Sequence, residues 1–292
     1  MKYSFITQHK DTYPISLQCQ VFGVRRQGYY HYRRHTENRP IDPDHEEMFE
    51  WVQKVAEASD DTYGSRRMKR AMNCLGYPIS RSKARKLMKE ANVEVRRRKK
   101  YKVTTNSNHK QLVFENLVQR QFEVEQTDQV YAADVTYIWT QEGWLYLAVV
   151  IDLCSRKVVG WSMSSRMKAK LVCDALQMAI WQRRPKAGLI HHSDRGSQYP
   201  SKAFKQLLNQ HGVKGSMSRK GDCWDNAVVE SFFGSLKQER VHWRNYQTRN
   251  EAQQDILNYI SVFYNNHRLH STLGYMSPAN YEKQLTEIKE AA

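Results

Sequence analysis

The sequence predicts an α/β protein: a mixed β-sheet flanked by helices, with basic helical modules before it and a helical extension after it. Three observations lead there. From Val130 the pattern switches to runs of β-formers, YAADVTYI, WLYLAVVI and KVVGWSM, followed by further strand–helix alternation. Between residues 14 and 94 the apolar residues keep helical spacing, and the segment Asn250–Asn265 does so again.

Residues 14–35, PISLQCQVFGVRRQGYYHYRRH, read as two short helices about a turn at Gly23, with Leu17, Val21 and Val24 at helical spacing. The second carries Arg25, Arg26, Arg33 and Arg34 interleaved with Tyr29, Tyr30 and Tyr32, a helix-turn-helix-like pattern with groups for phosphate and base contact. A plain two-helix hairpin with a basic outer face has the same pattern. A proline-bearing acidic piece, Arg39 to Glu47, separates it from three further helices between Met48 and Glu94. Met48, Val52 and Val55 mark the first, Met68 and Met72 the second. Ser80 caps the third, whose inner face is Ala84, Leu87 and Met88. Its outer face carries Arg81, Lys83, Arg85, Lys86 and Lys89, and the unbroken cationic run Arg96, Arg97, Arg98, Lys99, Lys100 follows. A solvated face normally mixes signs. From Arg81 to Lys102 there are 11 basic residues and two acids, which favours contact with DNA phosphates.

Residues 103–126 read as a linker with an apolar anchor at Leu112–Leu117. The core strands follow over Tyr131–Ile138, Trp144–Ile151 and Lys157–Met163, with a turn at Gly143. A helix over Lys168–Arg184 leads to a short buried strand, Leu189–His192, whose end places Asp194 at the rim of the sheet. After a loop rich in Gly, Ser and basic residues, Asp225-Asn226 starts a helix with Glu230 one turn inside. The extension keeps Ala252, Ile256, Tyr259, Ile260 and Phe263 at helical spacing and ends in an aromatic-bearing wrap and a short helix. The chain thus divides into 1–38, 39–102, the linker 103–126, a catalytic-type domain over 127–245, and 246–292.

The formal charge is +16, from 46 Lys+Arg against 30 Asp+Glu, and it points to a polyanionic partner. No apolar run approaches the roughly 20 residues needed to span a bilayer, and the N-terminus lacks the apolar core of a signal peptide, so a cytoplasmic, nucleoid-associated protein without a membrane partner is expected. Five scattered cysteines without a C-x-x-C pair suggest reduced thiols. His191-His192 invites a zinc reading, but adjacent strand residues point to opposite faces, so no zinc is expected.

Singly, each acid in the core reads as a surface charge. Together, Asp134, Asp194 and Glu230 lie on separate elements that can converge, as two-metal phosphoryl transfer requires. Asp152 follows an apolar strand and precedes Ser155-Arg156, which fits a turn acceptor; Asp174, Asp222 and Asp225 read as a helix-surface charge, a loop charge and a helix cap. Glu230 and Lys237, seven residues apart, share a helix face. Asn226 suits either an N-cap or a contact behind the acids, and Arg268 and His270 suit either a phosphate or an internal ion pair.

Five ordered blocks, YAADVTYI, LYLAVVIDLCSRKVVGW, HHSDRGSQY, GDCWDNAVVESFFGSLK and YNNHRLHSTLGYMSP, cover much of the chain and resemble the catalytic core of insertion-sequence transposases of the OrfB type, relatives of retroviral integrases in the DDE superfamily. YGSRRMKRAMNCLGYPISRSKARKLMKE resembles the helix-turn-helix that precedes that core. The resemblance implies a ribonuclease H-like fold, with Asp134, Asp194 and Glu230 as the catalytic, metal-holding triad and Lys237 on terminal DNA. Carboxylate-only ligation favours Mg²⁺, with Mn²⁺ as a substitute. The implied reaction is cleavage at an element end that frees a 3′-OH, then attack of that 3′-OH on another phosphodiester. The implied partners are double-stranded DNA (terminal inverted repeats and target), further copies of the chain on that DNA, and an upstream-frame protein as partner or fusion. A metal-dependent nuclease would share the triad without joining strands, and a DNA-binding repressor would use only the basic helices. A tyrosine recombinase would need an Arg/His/Tyr set that nothing in the sequence singles out.

Overall fold

The structure, a computed structural model, describes residues 2–37, 43–96, 114–119, 121–122, 124–219 and 223–291. Arg39, Arg97, Arg98, Lys99, Lys100, Leu112 and Asp222 lie outside the described residues.

Helices α1 (Lys2–Gln8), α2 (Ile15–Val21) and α3 (Arg26–Glu37) close on a small core of Ile6, Cys19 and Tyr29. The turn at Gly23 has φ +61, a conformation glycine adopts without strain. Two expectations fail here. Leu17 and Val21 are 51% and 72% exposed, because the inner position of α2 goes to Gln18. Its amide donates to the carbonyls of His9 (3.0 Å) and Tyr13 (2.9 Å), which ties α2 to the turn after α1. Tyr29 is fully buried and so is withdrawn from any contact with bases, while Arg25 and Arg26 remain exposed.

Helices α4 (Pro43–Ala58), α5 (Ser65–Cys74) and α6 (Arg81–Glu90) form a second helical unit. Its core is Met48, Val52, Ala56, Met68, Met72, Ala84, Leu87 and Met88, close to the stripes the spacing predicts. Ser80 caps α6 by accepting from the Lys83 N–H at 3.1 Å.

The sheet begins with an antiparallel meander, β1 (Val130–Thr140), β2 (Gly143–Asp152) and β3 (Val158–Ser164). Gly143, at φ +103, turns β1 into β2, and the ladder runs from Tyr131 opposite Asp152 to Thr140 opposite Gly143. Helix α7 (Ala169–Arg183) then crosses back, packed so closely on β3 that a Cβ on Gly160 would lie 2.2 Å from the Ala175 carbonyl. β4 (Ile190–Ser193) lies parallel to β1, α8 (Lys202–Gln210) follows, and β5 (Lys214–Met217) lies parallel to β4. The strand order is β3-β2-β1-β4-β5. β2 is buried over most of its length, which explains its continuous apolar run.

One apolar core lies under α7 and α8, with Tyr131, Leu176, Phe204 and Leu208 among its members. The other gathers Leu147, Val149, Phe232, Leu236, Ile256 and Tyr259 beneath α9 (Ala227–Glu239) and α10 (Arg249–Asn258). The predicted helix over Asn250–Asn265 widens into a π-helical turn at Tyr259–Tyr264, which buries both of those tyrosines. A final helix, α11 (Pro278–Ala291), closes the chain, and its Glu282 pairs with Lys157 and Arg183. The linker anchor is Phe114 and Val118, while Leu117 is exposed; the Leu117 N–H and the Glu115 carbonyl bond Ser216 and Met217 of β5.

The second helical unit is bolted to the C-terminal half. The Tyr63 hydroxyl donates to the His267 carbonyl and accepts from the Leu269 N–H, both at 3.0 Å. Arg67 lies 3.7 Å from the Glu239 carboxylate, which also takes a forked pair from Arg268 at 2.7 and 2.8 Å and the Tyr259 hydroxyl at 2.7 Å. Arg268 is thus an internal ion-pair partner, not a phosphate contact. Arg96 also departs from its expected role on DNA. Its guanidinium grips Asp60 (2.6 and 2.7 Å), donates to the Glu239 carbonyl (2.7 Å) and faces the Trp243 ring.

Candidate active site

Asp134 sits mid-way along β1, opposite Val149. In the parallel ladder Ala133 stands opposite Ser193, the last residue of β4, so the next residue on each strand is an acid, Asp134 beside Asp194. Glu230 lies in the first turn of α9, and a hydrogen bond registers that helix against β1: the Asn226 amide donates to the Ala133 carbonyl at 3.2 Å. Asn226 begins the helix without a side-chain cap, so of its two expected roles the structure favours the one behind the acids. The other amide atom, Oδ1, is buried without a hydrogen-bond partner among the described residues.

The three acids feel one another. Burial pushes the Asp134 carboxyl well above the usual range; negative charge on Asp194 and Glu230 pushes it further, while the Val135 N–H and Lys237 oppose. Glu230 is raised by desolvation and by Asp194. Desolvation draws the Lys237 ammonium down, and Asp134 holds it up. Yet the carboxyls do not close into a cage. Among the described residues, no group of three or more His, Cys, Asp or Glu is disposed to hold a metal ion as it stands. Like charges repel, and two of the acids turn an oxygen to local backbone: Val135 N–H donates to Asp134 at 2.7 Å and Gly196 N–H to Asp194 at 2.9 Å. The three carboxyls have the all-oxygen chemistry of a hard divalent cation.

The surroundings are structural. His192 has both ring nitrogens engaged, with Ser216 Oγ at 2.8 Å and the Asp225 carbonyl at 2.9 Å. His191 points the other way, against Tyr199 and Phe204, and burial lowers its pKa to about 3. Asp225 is not a cap; its buried carboxylate takes Arg219 and the Asn116 amide. Asp152 accepts from the Ser155 and Asp128 N–H groups, the turn role expected of it. Asp174 pairs with Lys170 on the surface of α7. Arg81, Lys83, Arg85, Lys86 and Lys89 all lie exposed on α6.

Sequence reasoning missed two features. Tyr199 lies within electrostatic reach of Asp134 and Asp194, its hydroxyl buried without a partner among the described residues. The Tyr in HHSDRGSQY was the only signal for it. The second is an aromatic cluster on the β1–β2 hairpin, against which Lys237 rests its ammonium, 5.0 Å from the Tyr137 ring centroid.

Residues 124–223 and 230–285 match the integrase core domain family, and residues 43–101 match an HTH-like domain family. The transposase InsF of insertion sequence IS3A from Escherichia coli K12 is 39% identical over 285 residues, covering 97% of this chain and 99% of that protein. The chain belongs to the insertion-sequence transposases with an integrase core. Within this family it is also 43% identical, over 92% of its length and 99% of the other's, to an uncharacterized 31 kDa protein of insertion element IS600 from Shigella sonnei. A solved structure of the HTLV-2 integrase catalytic core domain in complex with magnesium aligns with TM-score 0.41 and 16% identity, covering 53% of this chain and 95% of that one. As a member of the family the chain is a polynucleotidyl transferase that acts on DNA, and no helix among its described residues is long and apolar enough to cross a membrane.

Proposed function

We propose that this transposase cleaves DNA at the ends of its element and joins the freed 3′-OH to a second phosphodiester, using Asp134, Asp194 and Glu230 around divalent cations. The observation that carries the reading is the pairing of Ala133 in β1 with Ser193 at the end of β4, whose next residues are Asp134 and Asp194, with Glu230 in electrostatic contact. Carboxylates gathered in this way raise one another's proton affinity, and a cation of the Mg²⁺ class relieves that repulsion. When bound, such ions neutralise phosphate charge and activate the attacking oxygen.

The chain's own groups do the rest. Asp134, Asp194 and Glu230 would hold the ion, and the Val135 and Gly196 N–H groups orient the first two carboxylates. Asn226 keeps Glu230 in register with β1 through the Ala133 carbonyl. Lys237, on the same helix, offers its ammonium to a phosphate beside Asp134. In the first step water attacks phosphorus and the 3′ oxygen leaves as a hydroxyl. In the second step that hydroxyl attacks another phosphodiester and releases a new 3′-OH, so bonds to phosphorus are exchanged without net hydrolysis. The exposed cations of α6 hold flanking duplex, and Arg25 and Arg26 extend that grip. Further copies of the chain on the DNA, and an upstream-frame protein, complete the assembly.

The deciding experiment supplies a pre-cleaved element end bearing a 3′-OH, a target duplex, Mg²⁺ and any upstream-frame protein. Joined product is expected. Hydrolysis alone under all conditions replaces this reading with that of a metal-dependent nuclease.

A further inference from the structure

The β1–β2 hairpin carries three aromatic rings in a row beyond the acids. Trp139 and Trp144 are directly opposite in the ladder, and their ring centroids are 4.8 Å apart at 73°. Tyr137 continues the row, 5.0 Å from Trp144 at 84°. Trp139 is 53% and Trp144 43% exposed. A single exposed tryptophan needs no explanation. Three contiguous rings, two of them open to solvent, mark a contact surface. Cross-strand packing explains why they pair but not why they stay uncovered. In an edge-to-face pair, the ring that meets its neighbour edge-on keeps its faces free for another flat group.

Charge indicates which group. Lys237 holds its ammonium over Tyr137 while remaining within electrostatic reach of Asp134, so it joins the aromatic row to the acids. At the hairpin tip Arg249 donates to the carbonyls of Glu142 and Trp144, its own N–H bonds the Glu142 carboxylate, and the Gln141 N–H bonds the Tyr246 carbonyl. The tip is therefore held by the start of α10 and does not rely on the rings for its position. A flat, apolar ligand that carries negative charge on the Lys237 side fits this surface, and a nucleotide has that constitution.

We propose that Tyr137, Trp144 and Trp139 form a stacking platform for an unpaired base next to the phosphate held at the acids. The proposal rests on the transposase reading for the place of that phosphate. It adds a reason for the chain to favour frayed or single-stranded ends over blunt duplex. The platform reads no sequence, because every base has a π-face.

The test uses the full chain and element-end DNA with 2-aminopurine in an unpaired nucleotide flanking the cleaved end. Stacking quenches this fluorophore, so binding by the wild-type chain is expected to quench it. Trp139→Val together with Trp144→Val keeps β-branched residues in the strands but removes the rings. That pair is expected to abolish quenching and to weaken the preference for the unpaired end over blunt duplex about tenfold. The slope of log affinity against log salt should stay unchanged, since no phosphate contact is lost. Trp139→Phe with Trp144→Phe should restore quenching, which a purely structural role for the rings would not require. Lack of quenching in wild type overturns the platform even if joining proceeds. A change in sedimentation with quenching retained also overturns it, in favour of contact between copies of the chain. Quenching without any joining leaves the platform standing and removes the transferase reading.

Discussion

Asn226 donates its side-chain amide to the Ala133 carbonyl, so the residue before the Glu230 helix is tied to the residue before Asp134. The bond sets the spacing of acids that come from elements 96 positions apart in the chain. Asn226→Ala is expected to lower the joining rate about 10- to 100-fold, the range found when groups orienting a metal's ligands are removed. DNA affinity and the melting temperature should change little. Loss of affinity in parallel with rate, measured by gel shift and single-turnover joining, would count against this positioning role.

Asp134→Asn, Asp194→Asn and Glu230→Gln should each reduce cleavage and joining about a thousandfold or more, since each removes part of a transition-state charge clamp. Asp152→Asn serves as the control. It alters a turn bonded to Ser155 and Asp128, so a lower melting temperature with retained activity per folded molecule is expected. If Asp152→Asn were inactive while Asp134→Asn kept its activity, the upstream acid has been misassigned.

The salt dependence of DNA binding separates gripping cations from structural ones. Lys83→Ala with Lys86→Ala, both exposed on α6, should reduce the slope of log affinity against log salt by about 0.9 per lost phosphate contact. Arg96→Met should leave the slope alone and instead loosen the junction with α9, because its guanidinium is engaged by Asp60 and the Glu239 carbonyl. Limited proteolysis after residue 96 would report that loosening.

Arg268 and Glu239 are a buried, forked pair, so removing one partner strands the other. Arg268→Met is expected to destabilise the fold by about 3–5 kcal/mol, and adding Glu239→Leu should recover most of that loss. Denaturant unfolding of the single and double variants gives the comparison; an additive double variant refutes the coupling.

Acid sensitivity follows from His191 and His270, whose pKa values are both lowered to about 3, chiefly by burial, with Arg268 adding to the effect at His270. The unfolded chain binds these protons near pH 6.5 and the folded chain only near pH 3. Stability is therefore fully present above about 6.5 and falls as pH drops through that window, by at most about 1.4 kcal/mol per pH unit for each histidine. His270→Gln, which keeps an acceptor for Arg268, should flatten the profile by one proton's share in urea titrations between pH 6.5 and 4.

The strands were legible because β1, β2 and β3 are made of β-formers bounded by Gly143 and polar turns, and the α4–α6 stripes because methionine and leucine recur at helical spacing. Asp194 and Glu230 could be nominated because they stand where an apolar strand ends and a helix begins, and Asp134 because it puts a charge in the middle of a strand of β-formers. What escaped were interactions closed by distant partners. Nothing near Arg96 announces Asp60 and Glu239, nothing near Asp225 announces Arg219 as its partner, and nothing near Gln18 announces the His9 and Tyr13 carbonyls that its buried amide meets. Polar residues with long-range partners carry no periodic signature, whereas apolar faces do.

Helix α9 has Glu230 and Lys237 towards the acids and Glu239 at the junction that clamps Tyr63, Arg67 and Arg96. From Glu230 to Glu239 the helix rises about 13 Å, or roughly four base-pair steps of duplex. On the proposed reading a single rod serves as a gauge: it would set how far along a DNA end the gripping helices sit from the point of cutting. Inserting a helical turn between Lys237 and Gln238 would shift the cut by a base pair or two and leave the chemistry itself untouched.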